Sequence, residues 1–243
     1  LNYVLKYSFT SLALQQSNAA QALSESSANG AVILGRCDKP TFTILKKRFK
    51  NICYVGLNYF KQEYDQVICD GMEASKAAVN YLIDLGHTKI GYIGEAMEEI
   101  RYIGYRNAMI EKKLSTESRY VANVLLSYEG GYNGAKKLLS CASDITAVFC
   151  ANDITAVGAM RAFQESGLSI PKDISVIGVD DIETSKYLAP PLTTIQIPIE
   201  EMGKLAAKLL VDRIHGGHRI PVKLLLPFQL KVRESCAKPR TGK

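Results

Sequence analysis

Short apolar runs alternate with longer amphipathic stretches along most of the chain. The short runs are apolar throughout, which is typical of parallel strands that are covered on both faces. They predict eight buried strands, at residues 31–34, 52–55, 66–69, 89–93, 147–150, 175–179, 194–197 and 222–226. Because strands that alternate with helices form domains with parallel sheets, the pattern predicts an α/β protein.

Three of the amphipathic stretches predict helices, because their apolar residues recur three and four positions apart. These stretches are residues 74–85, 153–163 and 202–214. Asn152 or Asp153 can cap the second helix, and Gly167 can end it. No linker rich in proline or serine interrupts the chain. We therefore expect lobes that are linked by crossing strands, not separate domains on a tether.

The length of 243 residues is that of one large domain or two lobes, since domains have roughly 100 to 200 residues. Apolar residues make up 47% and charged residues 22% of the chain, which is ordinary for a soluble globular protein. No apolar run approaches the ~18 residues that a membrane-spanning helix needs. We therefore expect no membrane partner.

The formal net charge of +6 is small for a dedicated nucleic-acid domain of this size. The tightest basic cluster, at residues 46–50, alternates with apolar residues as a solvated helix face would. Six cysteines are widely spaced without a C-x-x-C motif, and most lie in apolar runs. This usage predicts reduced core thiols and a cytoplasmic protein. The first residues show no export signal, although a mature exported protein would begin in the same way.

Motifs of enzymes and cofactor sites are missing from the sequence. There is no G-x-x-x-x-G-K-[ST], no G-x-G-x-x-G after a strand, no H-E-x-x-H and no G-x-S-x-G. His215 and His218 are separated by two glycines, and no nearby cysteine or second histidine pair completes a metal site. We expect no catalytic residue, no metal and no cofactor.

Polar side chains follow several predicted strands at the carboxyl end, where open parallel sheets form their ligand crevice. Asp70, Asn152 and Asp180 lie at such ends, and Arg101 comes soon after the strand at 89–93. A guanidinium with carboxylates and an amide suits the neighbouring hydroxyls of a sugar, because each hydroxyl can accept and donate. Each residue alone also fits a structural role, such as a helix cap. Their shared position favours a binding site.

Six longer segments point to a known family. They are LGHTKIGYIG at 85–94, RYIGYR at 101–106, AVFCAND at 147–153, AVGAMRA at 156–162, GLSIPKDISVIGVDD at 167–181 and PPLTTI at 190–195. Together they resemble the effector domain of the LacI/GalR family of bacterial transcription regulators. The resemblance extends from about residue 30 to the end of the chain.

This resemblance implies a periplasmic-binding-protein type I fold, in which two doubly wound α/β lobes surround a ligand cleft and strands cross between them. The N-terminal lobe would contain residues 1–86 and about 196–222. The C-terminal lobe would contain residues 87–195 and about 223–243.

The resemblance also implies roles for the residues at the strand ends. Arg101 matches an arginine that holds a ligand hydroxyl or carboxylate, and Asp180 matches an aspartate that clamps sugar hydroxyls or a purine. Asn152 matches the strand-end amide, and Asp70 matches a carboxylate on the other wall of the cleft. These are the residues that the strand-end positions select independently.

One position departs from the family pattern around the ligand. Many relatives place an aromatic ring where this chain has Leu126. An aliphatic side chain still packs against a sugar face, but it makes a flat aromatic base a less suitable ligand. Tyr128 is the nearby ring that could substitute for the missing one.

The first residues depart from the family pattern more strongly. Family members begin with a helix-turn-helix headpiece, a hinge helix, and the first strand and helix of the effector domain. Here residues 1–9 resemble the second strand, and a helix is predicted around 12–26. We therefore expect a fragment of a longer regulator, with operator DNA bound only through a headpiece that this chain lacks.

The resulting hypothesis is the effector-binding and dimerisation region of a LacI-type repressor. Its small-molecule effector would be a sugar or related polyol, and lobe closure would reorient the two protomers of a homodimer. The apolar helix at 74–85 and the segment at 42–49 offer surface for that dimer. An exported sugar-binding protein of a transporter is the main alternative, and a sugar-converting enzyme is the third.

Overall fold

The computed structural model describes residues 28–37, 39–59 and 64–240. The strand predicted at residues 1–9 and the helix predicted around 12–26 lie outside the described residues, so both stay predictions. Within the described ranges, no helix is long and apolar enough to cross a membrane.

The chain divides into two compact units. The first contains the described residues up to Ile68 together with Ile199–Leu226, and the second contains Cys69–Pro198 together with the residues from Pro227 onward. The first predicted lobe extended to residue 86 instead. The difference is one helix, which packs against the helix that follows it in the second unit.

Helices and strands alternate regularly in the described part of the chain. The helices are α1 (Lys39–Arg48), α2 (Gly71–Asp84), α3 (Ile100–Glu111), α4 (Tyr128–Cys141), α5 (Asp153–Glu165) and α6 (Ile199–Ile214), with short 3-10 helices at Ser118–Tyr120 and Glu183–Lys186. The strands are β1 (Gly30–Leu34), β2 (Asn51–Gly56), β3 (Asp65–Cys69), β4 (Ile90–Gly94), β5 (Val121–Asn123), β6 (Ala147–Cys150), β7 (Ser175–Asp180), β8 (Thr193–Gln196), β9 (Lys223–Leu226) and β10 (Gln229–Lys231). The three predicted helices and the eight predicted strands are confirmed.

The first unit is built on a sheet with the strand order β1-β2-β3-β9, in which β1, β2 and β3 are parallel. Helix α6 packs against β1 and β2. One buried apolar cluster of this unit comes from β1, α1 with the residue after it, and β2, and it contains Ile33, Phe42, Leu45, Phe49, Ile52 and Tyr54. In α1, the basic side chains of Lys46, Lys47 and Arg48 are exposed, so the predicted solvated face is confirmed.

Much of the apolar surface that motivated the predicted dimer is covered within the chain. Phe42 and Leu45 are each 8% exposed, and Ala74, Ala78 and Leu82 are fully buried. These side chains therefore leave no excess apolar surface for a partner. Dimerisation stays a prediction that depends on the family resemblance alone.

The second unit is built on a sheet with the order β10-β8-β7-β6-β4-β5, in which only β10 is antiparallel to its neighbour among the described strands. Alternate side chains of the central strands face opposite helix layers. Ile93 and Val148 pack with α4 and α5, whereas the ring of Tyr92 lies 5.3 Å from the ring of Tyr105 in α3. Helices thus cover both faces of the sheet, which is the doubly wound arrangement expected for this fold class.

Two short strands were not predicted. β5 and β10 have three residues each, which is too short for a period to be recognised. The assumption that every strand is covered on both faces was also too broad. β9 lies at a sheet edge, and its residues are alternately exposed and half-buried.

Close packing of α4 on α5 depends on two glycines. A Cβ atom at Gly158 would lie 2.0 Å from the carbonyl oxygen of Tyr128, and one at Gly131 would lie 2.0 Å from that of Thr155. In contrast, a Cβ atom at the exposed Gly203 in α6 would meet nothing within 4 Å. The two helices can approach this closely only where side chains are absent.

Alanine substitutions at these glycines should therefore have opposite effects. Gly158→Ala is expected to lower the free energy of unfolding by about 1–3 kcal/mol, because the methyl group forces the helices apart. Gly203→Ala, the matched control, should raise it by about 0.5–1 kcal/mol through higher helix propensity. Urea unfolding followed by circular dichroism measures both; a Gly158→Ala protein as stable as wild type would contradict the packing described.

A buried ionic cluster links the sheet of the first unit to α6 and to the start of β9. The side chain of Asp65 in β3 is fully buried. It accepts hydrogen bonds from Arg213 Nη2 at 2.7 Å and from the backbone N–H of Val222 at 2.8 Å. A nitrogen of the His218 ring lies 3.0 Å from the same carboxylate. Burial is the largest single influence on the pKa of Asp65 and raises it, but the hydrogen bonds together outweigh burial and lower this pKa.

Candidate functional site

Arg101 lies in the first turn of α3, close after β4, where the strand ends predict a ligand site. Its side chain is 10% exposed. The Nε–H donates to Oε1 of Glu99 at 2.9 Å. Nη1 and Nη2 form no hydrogen bond with any described residue. Two donor groups of a largely buried guanidinium are therefore available to a ligand.

Asp180 ends β7 in an unusual backbone conformation. Its φ angle is +116°, and that of Asp181 is +57°. Such angles cost of order 1–3 kcal/mol in residues other than glycine and are concentrated at functional sites. The half-buried carboxyl group of Asp180 has no hydrogen-bond partner among the described residues.

The electrostatics of Asp180 connect it with Arg101. Burial raises the pKa of the Asp180 carboxyl to about 7. The positive charge of Arg101 opposes this increase, and the negative charges of Asp153 and Glu99 add to it. The structure thus brings the two predicted residues into one electrostatic environment in the second unit.

Asn152 and Asp153 follow β6 and have different roles. Asn152 is the N-cap of α5, since its Oδ1 accepts from the N–H of Thr155 at 3.0 Å. Its Nδ2 donates to no described residue, so the amide can cap the helix and still contact a ligand. The cap and the predicted ligand role are therefore compatible.

Asp153 is fully buried and holds the loop that follows β7. Its carboxylate accepts from Thr194 Oγ1 at 2.6 Å, from Ser185 Oγ at 2.7 Å and from the N–H of Ile182 at 3.0 Å. These bonds join β8 and the 3-10 helix to the end of β6. Because Asp180 lies in the same region, Asp153 stabilises the strained backbone there.

The remaining predicted residues are not joined to this group. Oδ1 of Asp70 caps α2 by accepting from the N–H groups of Met72 and Glu73, at 3.0 and 3.1 Å. Leu126 is half-buried and Tyr128 is 53% exposed. Within the described residues, no hydrogen bond connects these three side chains to Arg101 or Asp180. Their assignment as ligand contacts stays a prediction.

Two features near the site were missed in the sequence. Glu99 gave little signal, because glutamate is not a preferred N-cap residue. The other feature is the ion pair with Arg233 that buries the strand-end residue Asp181, whose side chain is 3% exposed. The Asp181 carboxylate also accepts from Gln196 Nε2 at 2.9 Å. Arg233 is 52 positions away in the chain, so no local pattern indicates this pair.

The pKa of Asp153 leads to a testable pH dependence. Burial raises this pKa from 3.8 to about 6. An acid with a raised pKa binds its proton more tightly in the folded state, so its contribution to stability is greatest below about pH 4 and is lost as the pH rises through about 6. As the pH rises between these values, the melting temperature of Asp153→Asn should therefore fall less than that of wild type. The Asp180 carboxyl acts in the same direction in both proteins, so an identical pH profile for the two would contradict the assignment to Asp153.

Known proteins share this fold. Residues 79–236 match the family described as periplasmic binding protein-like domain. The ribose operon repressor of Haemophilus influenzae is 39% identical over 175 residues, which are 70% of this chain and 53% of that protein. A LacI family transcriptional regulator from Enterococcus faecium with bound ribose has a TM-score of 0.81 and 30% identity, covering 91% of this chain and 84% of that one. A complex of the transcriptional regulator CelR with cellobiose has a TM-score of 0.80 and 29% identity, covering 89% and 68%.

The fold and these matches define a ligand-binding domain of the periplasmic-binding-protein type I class. The chain belongs to the periplasmic binding protein-like family, in the form found in LacI-family regulators. The predicted family and fold class are thereby confirmed. The chain spans about half the length of the curated repressor that it matches.

Proposed function

We propose that this chain is the effector-binding and dimerisation region of a LacI-type transcription regulator, and that its second unit binds a small sugar or related polyol. The main support is that the two Nη groups of Arg101 and the carboxyl group of Asp180 have no hydrogen-bond partner among the described residues. They share one electrostatic environment beyond the carboxyl ends of β4 and β7, where ligands bind in open α/β sheets.

A sugar matches both groups chemically. Its hydroxyls can accept from Arg101 and donate to Asp180, and charged hydrogen bonds of this kind are stronger than neutral ones. Asn152 Nδ2 adds a further donor. Asp70, Leu126 and Tyr128 remain candidates for additional contacts. Two structural neighbours contain ribose and cellobiose, which supports a carbohydrate ligand.

A thermal-shift screen against sugars, sugar phosphates and purines tests this function. A ligand that binds only the folded protein stabilises it by about 2.7 kcal/mol at a hundred times its dissociation constant. We expect a concentration-dependent increase in melting temperature with at least one neutral sugar. Stabilisation by purines alone, or by no compound at all, would contradict a sugar effector.

Regulation also requires DNA and a partner protomer. We expect the 243 residues alone to give no sequence-selective gel shift, since they show no helix-turn-helix motif.

Analytical ultracentrifugation should show a homodimer; a monomer at high micromolar concentration would contradict it. Six widely spaced cysteines, three of them buried in the described part of the chain, support a cytoplasmic location.

The exported sugar-binding protein and the enzyme make different predictions. A signal peptide encoded upstream, in place of a helix-turn-helix headpiece, would favour the exported protein. Turnover of a sugar during incubation with the purified chain would favour the enzyme. We expect neither result, because the relatives are repressors and the sequence contains none of the catalytic motifs considered.

A further inference from the structure

We propose that Glu99 is a positioning residue that orients the guanidinium of Arg101 and makes this site select neutral polyols over ligands that carry a carboxylate or phosphate. This inference rests on the proposed sugar-binding function and narrows its ligand class. It concerns only side chains of the second unit.

Three hydrogen bonds hold the Glu99 carboxylate in place. Oε2 accepts from the N–H groups of Arg101 at 2.7 Å and Tyr102 at 3.2 Å, at the start of α3. Oε1 accepts from Arg101 Nε at 2.9 Å. The Glu99 side chain is 3% exposed and that of Arg101 is 10% exposed. Because the carboxylate is fixed by the helix backbone, it fixes the orientation of the guanidinium in turn.

The Nε bond decides which donors of Arg101 remain. An arginine usually binds a carboxylate or phosphate through two parallel N–H donors. Glu99 already accepts from Nε, so the fork formed by Nε and the neighbouring Nη is not open to a bidentate ligand anion. The two Nη groups remain, and they can donate to neighbouring hydroxyl oxygens of a neutral ligand.

The charges around Arg101 also disfavour an anion. Three acidic groups, Glu99, Asp153 and Asp180, share one electrostatic environment with the Arg101 guanidinium. Burial raises the pKa of Asp180 to about 7, and the excess negative charge of Asp153 and Glu99 adds to this increase. An anionic ligand would add to this excess, whereas a polyol adds hydroxyls that can donate to the carboxylates.

A capping role alone is the competing explanation for Glu99. Capping uses Oε2, while the proposed positioning uses Oε1 and the negative charge. Two substitutions separate these roles. Glu99→Ser keeps a good N-cap residue but removes the group that reaches Arg101. Glu99→Gln keeps the size of the side chain and removes its charge.

The experiment measures charge selectivity with ligand pairs that share a carbon skeleton. The probes are D-ribose with D-ribonate, D-glucose with D-gluconate, and cellobiose with cellobionate. Isothermal titration at pH 7 gives the affinity ratio of each neutral sugar to its acid for wild type, Glu99→Ser, Glu99→Gln and the control Glu165→Gln. Glu165 forms an exposed pair with Arg161 in the same unit, so its substitution tests for a general effect of losing a surface charge.

We expect wild type and Glu165→Gln to bind the neutral sugar of a pair at least ~10-fold more tightly than its acid. In both Glu99 variants this affinity ratio should be at least ~10-fold lower than in wild type, which is a change of about 1.4 kcal/mol. Unliganded Glu99→Ser should stay folded but melt below wild type, because the largely buried Arg101 loses its partner. An unchanged ratio in both Glu99 variants, or a wild-type preference for the acid, would overturn the role of Glu99 while leaving a ligand site in place. If no probe and no compound of the thermal-shift screen binds wild type, the proposed function fails, and this inference fails with it.

Discussion

Replacing Arg101 with alanine is expected to weaken binding of the sugar that stabilises wild type most by at least ~10-fold, while the second unit stays folded. Charged hydrogen bonds contribute about 1.5–3 kcal/mol each, and a tenfold change in affinity requires only about 1.4 kcal/mol. The two Nη groups bond to no described residue, so the side-chain bond lost within the described residues is that of Nε to Glu99, which keeps its two backbone N–H donors. Isothermal titration measures the change.

Asp180→Ala should weaken binding to a similar extent, since it removes the acceptor for ligand hydroxyls. Asp180→Asn is a useful second variant, because asparagine tolerates a positive φ angle better than most residues. Arg161→Ala is the matched control, since Arg161 is an exposed arginine of the same unit that pairs with Glu165. A variant at Arg101 or Asp180 that melts early but binds normally would identify a structural role instead of a binding role.

The largest loss of stability is expected from Asp65→Ala in the first unit. Removing one partner from a buried ion pair typically costs about 3–5 kcal/mol, because the remaining charge stays buried without compensation. Here the change would leave Arg213, 17% exposed, without its carboxylate partner and with only the carbonyl oxygens of Arg219 and Ile220 as acceptors. It would also remove the acceptor of the Val222 N–H. These groups join β3, α6 and the start of β9. Hydrogen exchange by mass spectrometry should therefore show lost protection in these three elements.

Lys204→Ala is the control for this prediction. Lys204 also lies on α6, but its pair with Glu201 is 3.9 Å apart and both side chains are largely exposed. Exposed pairs of this kind contribute about 0–1 kcal/mol. Equal losses for Lys204→Ala and Asp65→Ala in urea unfolding would show that the Asp65 cluster is not a major source of stability.

Long elements could be predicted because their signals are local. Helix α2 shows apolar residues at helical spacing, begins after a capping aspartate and ends before Gly86, which has a φ angle of +103°. Strands β4 and β6 are apolar runs that are buried on both faces. In contrast, β10 is defined by its antiparallel pairing with β8 and not by its own three residues.

The candidate site divides in the same way. Arg101, Asn152 and Asp180 could be selected because each follows an apolar strand in the sequence. Their neighbours could not, since Glu99 acts through Oε1 on a side chain whose conformation is set by folding. The pairing of Asp181 with Arg233 depends on residues 52 positions apart.

The α/β class, the order of the long elements and the family could be predicted from contiguous residues, because hydrophobic period and strand-end motifs are local properties. Which polar groups are satisfied within the protein, and which remain for a ligand, depends on contacts between distant parts of the chain. Hydrogen bonds and pKa values depend on distance, burial and neighbouring charge, and these are set where separate elements meet. Asp153 illustrates this, since its partners Ser185 and Thr194 come from later elements that folding brings to the end of β6.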